Sequence, residues 1–425
     1  MTIAATQEMF SRPSLRIITA ASIGNAFEWF DLLIYGYFAV TISRLFFPTT
    51  DQTMSLLLAL GTFGASYLVR PLGAIVLGAY ADRAGRKASL MVSIVLMMVG
   101  TLLMAIMPTY ESIGVVAPIA VLLARLMQGF SVGGEFGSAT SFLVEHGPDR
   151  RGFLASFQWA GQGLAAMLAS LFGVGLTTLL SPDDLNAWGW RLPYFFGLLI
   201  GPIGFYIRQH VDETPEFLAA ETSPAPLREV LAHQSGRLLL SIGIIIVSTS
   251  LNYLILYMPT YAIRELSLPA SSGFTATLLG ATILTFGSPL MGHWSDTVGC
   301  TRIMLAAAAL IAISGYPAFV VLTTVPSLLT LIAIVCWLSL LKTAYSGVLP
   351  SLMAQIFPTR TRSTGMALSY NIAVPIFGGF APFISTSLIE LTGNNLAPSF
   401  YLTLTALASL TVLLLLRRVD DLKGV

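Results

Sequence analysis

Glu28, Asp31, Arg70, Arg125 and Lys342 are ionisable side chains that fall inside apolar stretches long enough to cross a lipid bilayer. An ionised group at mid-bilayer costs about 2.5–3.5 kcal/mol on insertion scales, so each needs a partner or a wet cavity. Asp31 lies about 15 residues from one end of its span, about 22 Å at 1.5 Å per residue. Arg125 lies about 10 residues, or about 15 Å, from the opposite end of its own. Across roughly 30 Å of hydrocarbon these depths differ by about 7 Å, within side-chain reach. The spacing predicts that Asp31, or Glu28 one turn below on the same face, pairs with Arg125. A carboxylate that takes a proton and releases a guanidinium would link proton binding to a change in cavity shape. The plainer alternative is a static ion pair tying two helices together.

The remaining candidates are cations and neutral donors. A planar guanidinium gives a carboxylate two parallel hydrogen bonds, which suits Arg70 and Arg191 to anions. Arg70 serves equally as a packing charge toward span 11, and Arg191 as an interfacial anchor beside Trp188 and Trp190. Lys342 either meets a substrate or snorkels to the interface. Gln158 and Gln162, at i and i+4, share a helix face and either line a cavity or hydrogen-bond between helices. Asn25, Tyr35, Tyr370 and Asn371 add donors on spans 1 and 11.

The elements that must hold these groups are membrane spans. The chain has 425 residues, 55% apolar and only 10% charged, with mean hydropathy +0.79. Soluble domains carry about 25% charged residues, so a soluble enzyme is excluded. A net charge of +1 leaves no basic footprint for nucleic acid. Cys300 and Cys336 are too differently placed, one polar and one apolar in context, to suggest a disulfide. The first apolar stretch, interrupted by Glu28 and Asp31, is expected to be a retained span rather than a cleaved signal.

A span needs roughly 20 apolar residues. The apolar runs predict twelve, at 16–40, 54–80, 88–108, 115–144, 153–179, 190–208, 237–262, 272–292, 302–323, 327–349, 363–391 and 397–416. With both termini inside, sixteen Lys and Arg fall in cytoplasmic segments and three (Arg44, Arg191, Arg264) outside. That bias predicts an integral membrane protein of the bacterial inner membrane with both termini cytoplasmic. Gly78-x-x-x-Asp82-Arg83-x-Gly85-Arg86 recurs as Gly292-x-x-x-Asp296-Thr297-x-Gly299. The repeat implies two six-span halves, 1–208 and 237–425, joined by a polar linker at 209–236.

The loop Gly78-Ala-Tyr-Ala-Asp82-Arg83-Ala-Gly85-Arg86-Lys87 resembles the loop 2–3 signature of the major facilitator superfamily. Gly24-Asn25-x-Phe27-Glu28-Trp29-Phe30-Asp31, Arg70-Pro71-Leu72-Gly73 and Arg125-x-x-Gln128-Gly129 are similar to its metabolite:proton symporter family. So is Trp188-Gly-Trp190-Arg191-Leu-Pro193. Ser156-Phe-Gln158-x-x-x-Gln162 resembles the citrate–proton branch most closely; α-ketoglutarate permeases and osmolyte carriers share the family. The resemblance implies an all-α, twelve-span fold working by alternating access, with a span-1 carboxylate and the span-4 arginine coupling protons. It implies Arg70 and Arg191 as anion ligands. It also implies a neutral residue where Lys342 stands.

The expected function is proton-coupled import of a small organic anion, a di- or tricarboxylate such as citrate. A zwitterionic osmolyte or an aromatic acid is the alternative within the same fold; a membrane enzyme or sensor is the alternative outside it. No cofactor or metal is implied, the proton gradient supplying the energy, and nothing demands more than a monomer. Glycines Gly78 and Gly85 are expected to let helix ends pack closely. Asp82, Arg83 and Arg86 are expected to latch with Glu135 and Glu145 at the cytoplasmic side. Asp296 is expected to form a weaker second latch, because the resemblance implies an arginine pair where this chain has Val298-Gly299-Cys300-Thr301-Arg302. Gly129, Gly133, Gly134 and Gly137, at spacings near four, are read as helix-packing positions. A hydrated vestibule between the halves is expected to surround the buried charges.

Overall fold

The computed structural model describes residues 26, 28–84, 86–133, 135–145, 150–199, 201–202 and 226–423. The described residues are helical throughout, and eight helices are long and apolar enough to cross a membrane. Numbered as spans, these are α2 (Gln52–Gly78), α5 (Arg151–Leu179), α7 (Ser235–Arg264) and α8 (Ala270–Val298). The others are α9 (Cys300–Thr324), α10 (Leu328–Ile356), α11 (Thr359–Thr392) and α12 (Ala397–Arg417). Two shorter apolar helices supply α3 (Met91–Ile106) and α4 (Val116–Ser131), and α4 resumes at Glu135–Glu145. The first and sixth spans are described over 28–46 (α1) and over 192–199 and 201–202 (α6). The expected linker enters the described part at Pro226–His233, which is itself a helix, and α7 already begins at Ser235.

The helix ends follow from local chemistry. Asp51 accepts the Thr53 N–H at 2.8 Å and starts α2; Ser327 accepts the Thr330 N–H at 3.1 Å and starts α10. Gly299, at φ +95°, makes the turn between α8 and α9 that a side chain would strain. Inside the spans, serine and threonine hydroxyls mostly donate to carbonyls three or four residues back, which satisfies them without water.

α2 and α4 cross backbone to backbone. A methyl on Gly129 would fall on the Ser66 carbonyl, one on Gly133 on the Arg70 carbonyl, and one on Gly73 on the Phe130 carbonyl. The halves meet along two seams, α5 against α8 and α2 with α4 against α11. The expected role of Gly78 differs: a methyl there would meet open space. Its counterpart Gly292 makes the close approach instead, against the Gly152 carbonyl and Ser156. Gly129→Ala is therefore expected to separate α2 from α4 and cost about 1–3 kcal/mol or more, the range for overpacking. A lowered melting temperature of the detergent-solubilised protein, beside an unaffected Gly78→Ala, checks this.

Candidate functional site

α1, α3, α4 and α6 place Asp31 at their shared centre. Asp31 is buried, and its Oδ2 accepts the Thr101 hydroxyl at 2.5 Å. Its Oδ1 faces Gly197 of α6 so closely that a methyl there would collide with it. Arg125, wholly buried, donates from Nη1 to the Gln128 side-chain oxygen at 2.8 Å and to the Asp31 main-chain carbonyl at 3.4 Å. Gln128 in turn donates to the Thr101 oxygen at 3.0 Å. The two expected partners are thus brought together but joined through Gln128 and Thr101, with no ion pair between their charged ends. The reason is geometric: the Asp31 side chain points between α3 and α6, while the guanidinium lies over the rings of Tyr35 (4.6 Å) and Phe63 (5.5 Å). Asp31 Oδ1 and Arg125 Nε and Nη2 keep no hydrogen-bond partner. Glu28 is half-buried one turn away.

Arg70 sits in an aromatic cage. Trp29, Tyr67 and Tyr370 lie 5.4, 5.5 and 5.6 Å from its guanidinium carbon, and its Nε and Nη1 make no hydrogen bond. Tyr370 stacks on Phe136 at 3.7 Å, and Asn371 donates to the Gly133 carbonyl at 2.5 Å, so both residues join α11 to α4. Tyr35 spends its hydroxyl on the Ala59 carbonyl. Arg191 lies away from this centre, stapling the carbonyls of Ala187 (2.8 Å) and Met107 (3.0 Å) and stacked on Trp190. Asn25 and Gly85 lie outside the described residues, as do the side chains of Asp82, Arg83, Arg86, Glu135 and Glu145.

Between the halves lies a small cavity with about 20 Å³ open to water, room for a water and not for a metabolite. The expected vestibule is thus contracted at its centre to this small space. Its lining includes Tyr37 and Gln162 from the first half, and Asn252, Thr277, Ser339 and Lys342 from the second. Lys342 donates to the Asn252 side-chain oxygen and lies 5.5 Å from the Trp159 ring. Gln162 Nε2 and Ser339 Oγ are buried without a partner, and no Asp or Glu lines the cavity. Gln158, buried one turn from Gln162, is not part of the lining.

Thr101, Gln128, Asn252 and Ser339 escaped the sequence reading. Threonine and serine abound in these spans, and only three-dimensional convergence distinguishes these. Gln128 alone carried a signal, three residues after Arg125 and so on the same face.

At the face bearing Asp296, its carboxylate accepts the N–H groups of Gly152 (2.7 Å) and Phe153 (3.1 Å), capping the start of α5. Gly137 packs on the Ser363 carbonyl and Ala367 nearby. Among the described residues Asp296 therefore latches through main chain, with no ion pair to arginine. Asp296→Ala is expected to loosen this face by roughly 1 kcal/mol, about fivefold in population, given two charge-assisted bonds at an exposed site. In a chain with Cys300→Ser and Cys336→Ser, faster maleimide labelling at Ser156→Cys checks it; unchanged labelling excludes the latch.

The profile of the Major Facilitator Superfamily matches residues 21–368. The citrate-proton symporter of Klebsiella pneumoniae is 37% identical over 398 residues, 92% of this chain and 89% of that protein. The proline/betaine transporter of Escherichia coli K12 is 33% identical over 411 residues, 93% of this chain and 82% of that protein. Among solved structures, a D-xylose-proton symporter superposes with a TM-score of 0.75 at 16% identity, over 93% of this chain and 96% of that one.

Proposed function

The chain belongs to the major facilitator superfamily, and from that premise we propose that it imports a small organic anion, a di- or tricarboxylate such as citrate, together with protons. The observation that carries the substrate class is Lys342: an ammonium in the cavity between the halves, held only by a neutral amide and facing no carboxylate. A substrate carboxylate supplies the missing counter-charge. Gln162 Nε2 and Ser339 Oγ, each without a partner, would complete its hydrogen bonds. The similarity to a citrate-proton symporter supports the same reading.

The similarity to a proline/betaine transporter supports the alternative of a zwitterionic solute. An aromatic cage is the usual receptor for a quaternary ammonium. Here the cage of Trp29, Tyr67 and Tyr370 already holds Arg70. The cation at Lys342 would repel a second positive group. Both features favour the anion.

Asp31 is the proton carrier of this reading. Its free Oδ1 can take a proton, while Thr101 and Gln128 keep it in register with Arg125 whichever form it adopts. Protonation removes the negative charge nearest Arg125, whose two idle N–H groups then turn to the substrate side. The positive-inside count sets the Asp296 face as cytoplasmic, so the opposite face admits substrate first.

Uptake of labelled citrate, α-ketoglutarate and betaine into proteoliposomes with an alkaline lumen tests the function; accumulation of betaine alone refutes it. A charge-assisted hydrogen bond contributes about 1.5–3 kcal/mol, so Lys342→Gln is expected to lower carboxylate uptake roughly 10- to 150-fold. Asp31→Asn is expected to lose accumulation driven by the pH gradient while still exchanging labelled for unlabelled substrate. A variant that still accumulates substrate removes Asp31 from the coupling.

A further inference from the structure

A second cavity opens between the halves at the face opposite Asp296. It offers about 160 Å³, against about 20 Å³ at the centre. Two guanidiniums line it, Arg44 from the end of α1 and Arg264 from the end of α7, and no carboxylate does. Arg264 bridges the halves, donating to Thr53 Oγ1 at 2.9 Å and to the Gln52 side-chain oxygen at 3.3 Å. Both acceptors are neutral. Among the described residues no hydrogen bond or ion pair engages Arg44. The hydroxyls around the rim are spent: Ser43 donates to the Val40 carbonyl, Thr49 to that of Asp51, and Ser55 to that of Phe47. The donors left for a ligand are the two arginines and the Gln52 amide.

Two acids stand nearby. Asp51 accepts the Thr53 N–H as the helix cap. Burial, with Glu390 acting in the same direction, pushes the Glu265 carboxyl above the usual carboxylate range although adjacent Arg264 opposes this, and Glu265 is not part of the lining.

We propose that this cavity is an anion vestibule that receives the carboxylates of the substrate on Arg44 and Arg264, and that its occupation unlocks the face by drawing Arg264 off Gln52 and Thr53. An ionised acceptor binds guanidinium more strongly than a neutral amide or hydroxyl, so the exchange favours the anion. The latch then responds to the charge of the solute rather than to its shape. The proposal rests on carboxylate transport by this chain.

Initial-rate citrate uptake by the full chain in proteoliposomes tests it. Arg44→Gln is expected to raise KM about five- to tenfold at low salt with kcat retained, and Arg44→Lys to restore most of the affinity. The KM of the unmodified protein should rise with ionic strength, because charges at a wet mouth are screened. Gln52→Leu, which removes an acceptor competing for Arg264, is expected to lower KM about two- to fivefold; a purely structural contact would not give that sign. A citrate KM that is flat with salt, or unchanged in Arg44→Gln, overturns the vestibule while leaving the transport function intact. An unmodified protein that carries no carboxylate overturns the function and the vestibule together.

Discussion

Lipid offers no hydrogen bonds, so every polar group sunk among these helices must find its partner within the protein or do without. The chain of Arg125, Gln128, Thr101 and Asp31 is the plainest consequence. Each link is buried, and each orients the next. Two opposite charges are held near one another without being allowed to collapse into a bidentate pair, which would be hard to separate in so dry a place. The spare valences, one carboxylate oxygen and two guanidinium nitrogens, are what the arrangement keeps in reserve.

Such a centre needs walls that move without leaking, and α11 shows how one helix serves both faces. Its first part packs on α4 through Asn371 and Tyr370; its second part lays Phe380 and Phe383 against Gly64 and Gly61 of α2. Between the two, Pro375–Gly379 forms a π-helical turn. The Phe377 carbonyl there accepts the hydroxyls of Ser250 (3.1 Å) and Tyr401 (2.7 Å). A π-turn interrupts the regular ladder, and turns of this kind recur at functional sites. In α11 it separates the segment packed on α4 from the segment packed on α2.

Much of this was legible in the residues. Hydropathy gave the spans because a 30 Å apolar layer imposes their length, and the charges inside them stood out because they are costly there. The glycines of α4 were readable as packing positions, and Gly129 and Gly133 meet main chain in α2. What escaped had no periodic signature. Depth along two helices could place Asp31 and Arg125 at one level, yet nothing in spacing says which way a side chain turns, so the bridge through Thr101 and Gln128 was invisible. Arg191 read as an anion ligand by type, but the carbonyls of Ala187 and Met107 claim it. Gly78 and Gly292 share a motif, yet only the second is pressed by a neighbour.

The difference between the halves carries a mechanistic consequence. The first half concentrates Asp31, Arg70 and Arg125 in one aromatic-lined region, whereas the second offers Lys342 with Asn252. If Asp31 carries the proton and Lys342 meets the anion, as proposed, a repeat that kept its backbone but not its charges divides the work between the halves. Because the cavity between them takes lining from both, and α1 lines it through Leu33 and Tyr37, a solute there would touch Lys342 and lie against the helix that carries Asp31. Coupling then needs no long pathway. On the proposed reading it needs only that the faces reopen more readily when the ammonium of Lys342 has a counter-ion and Asp31 has its proton.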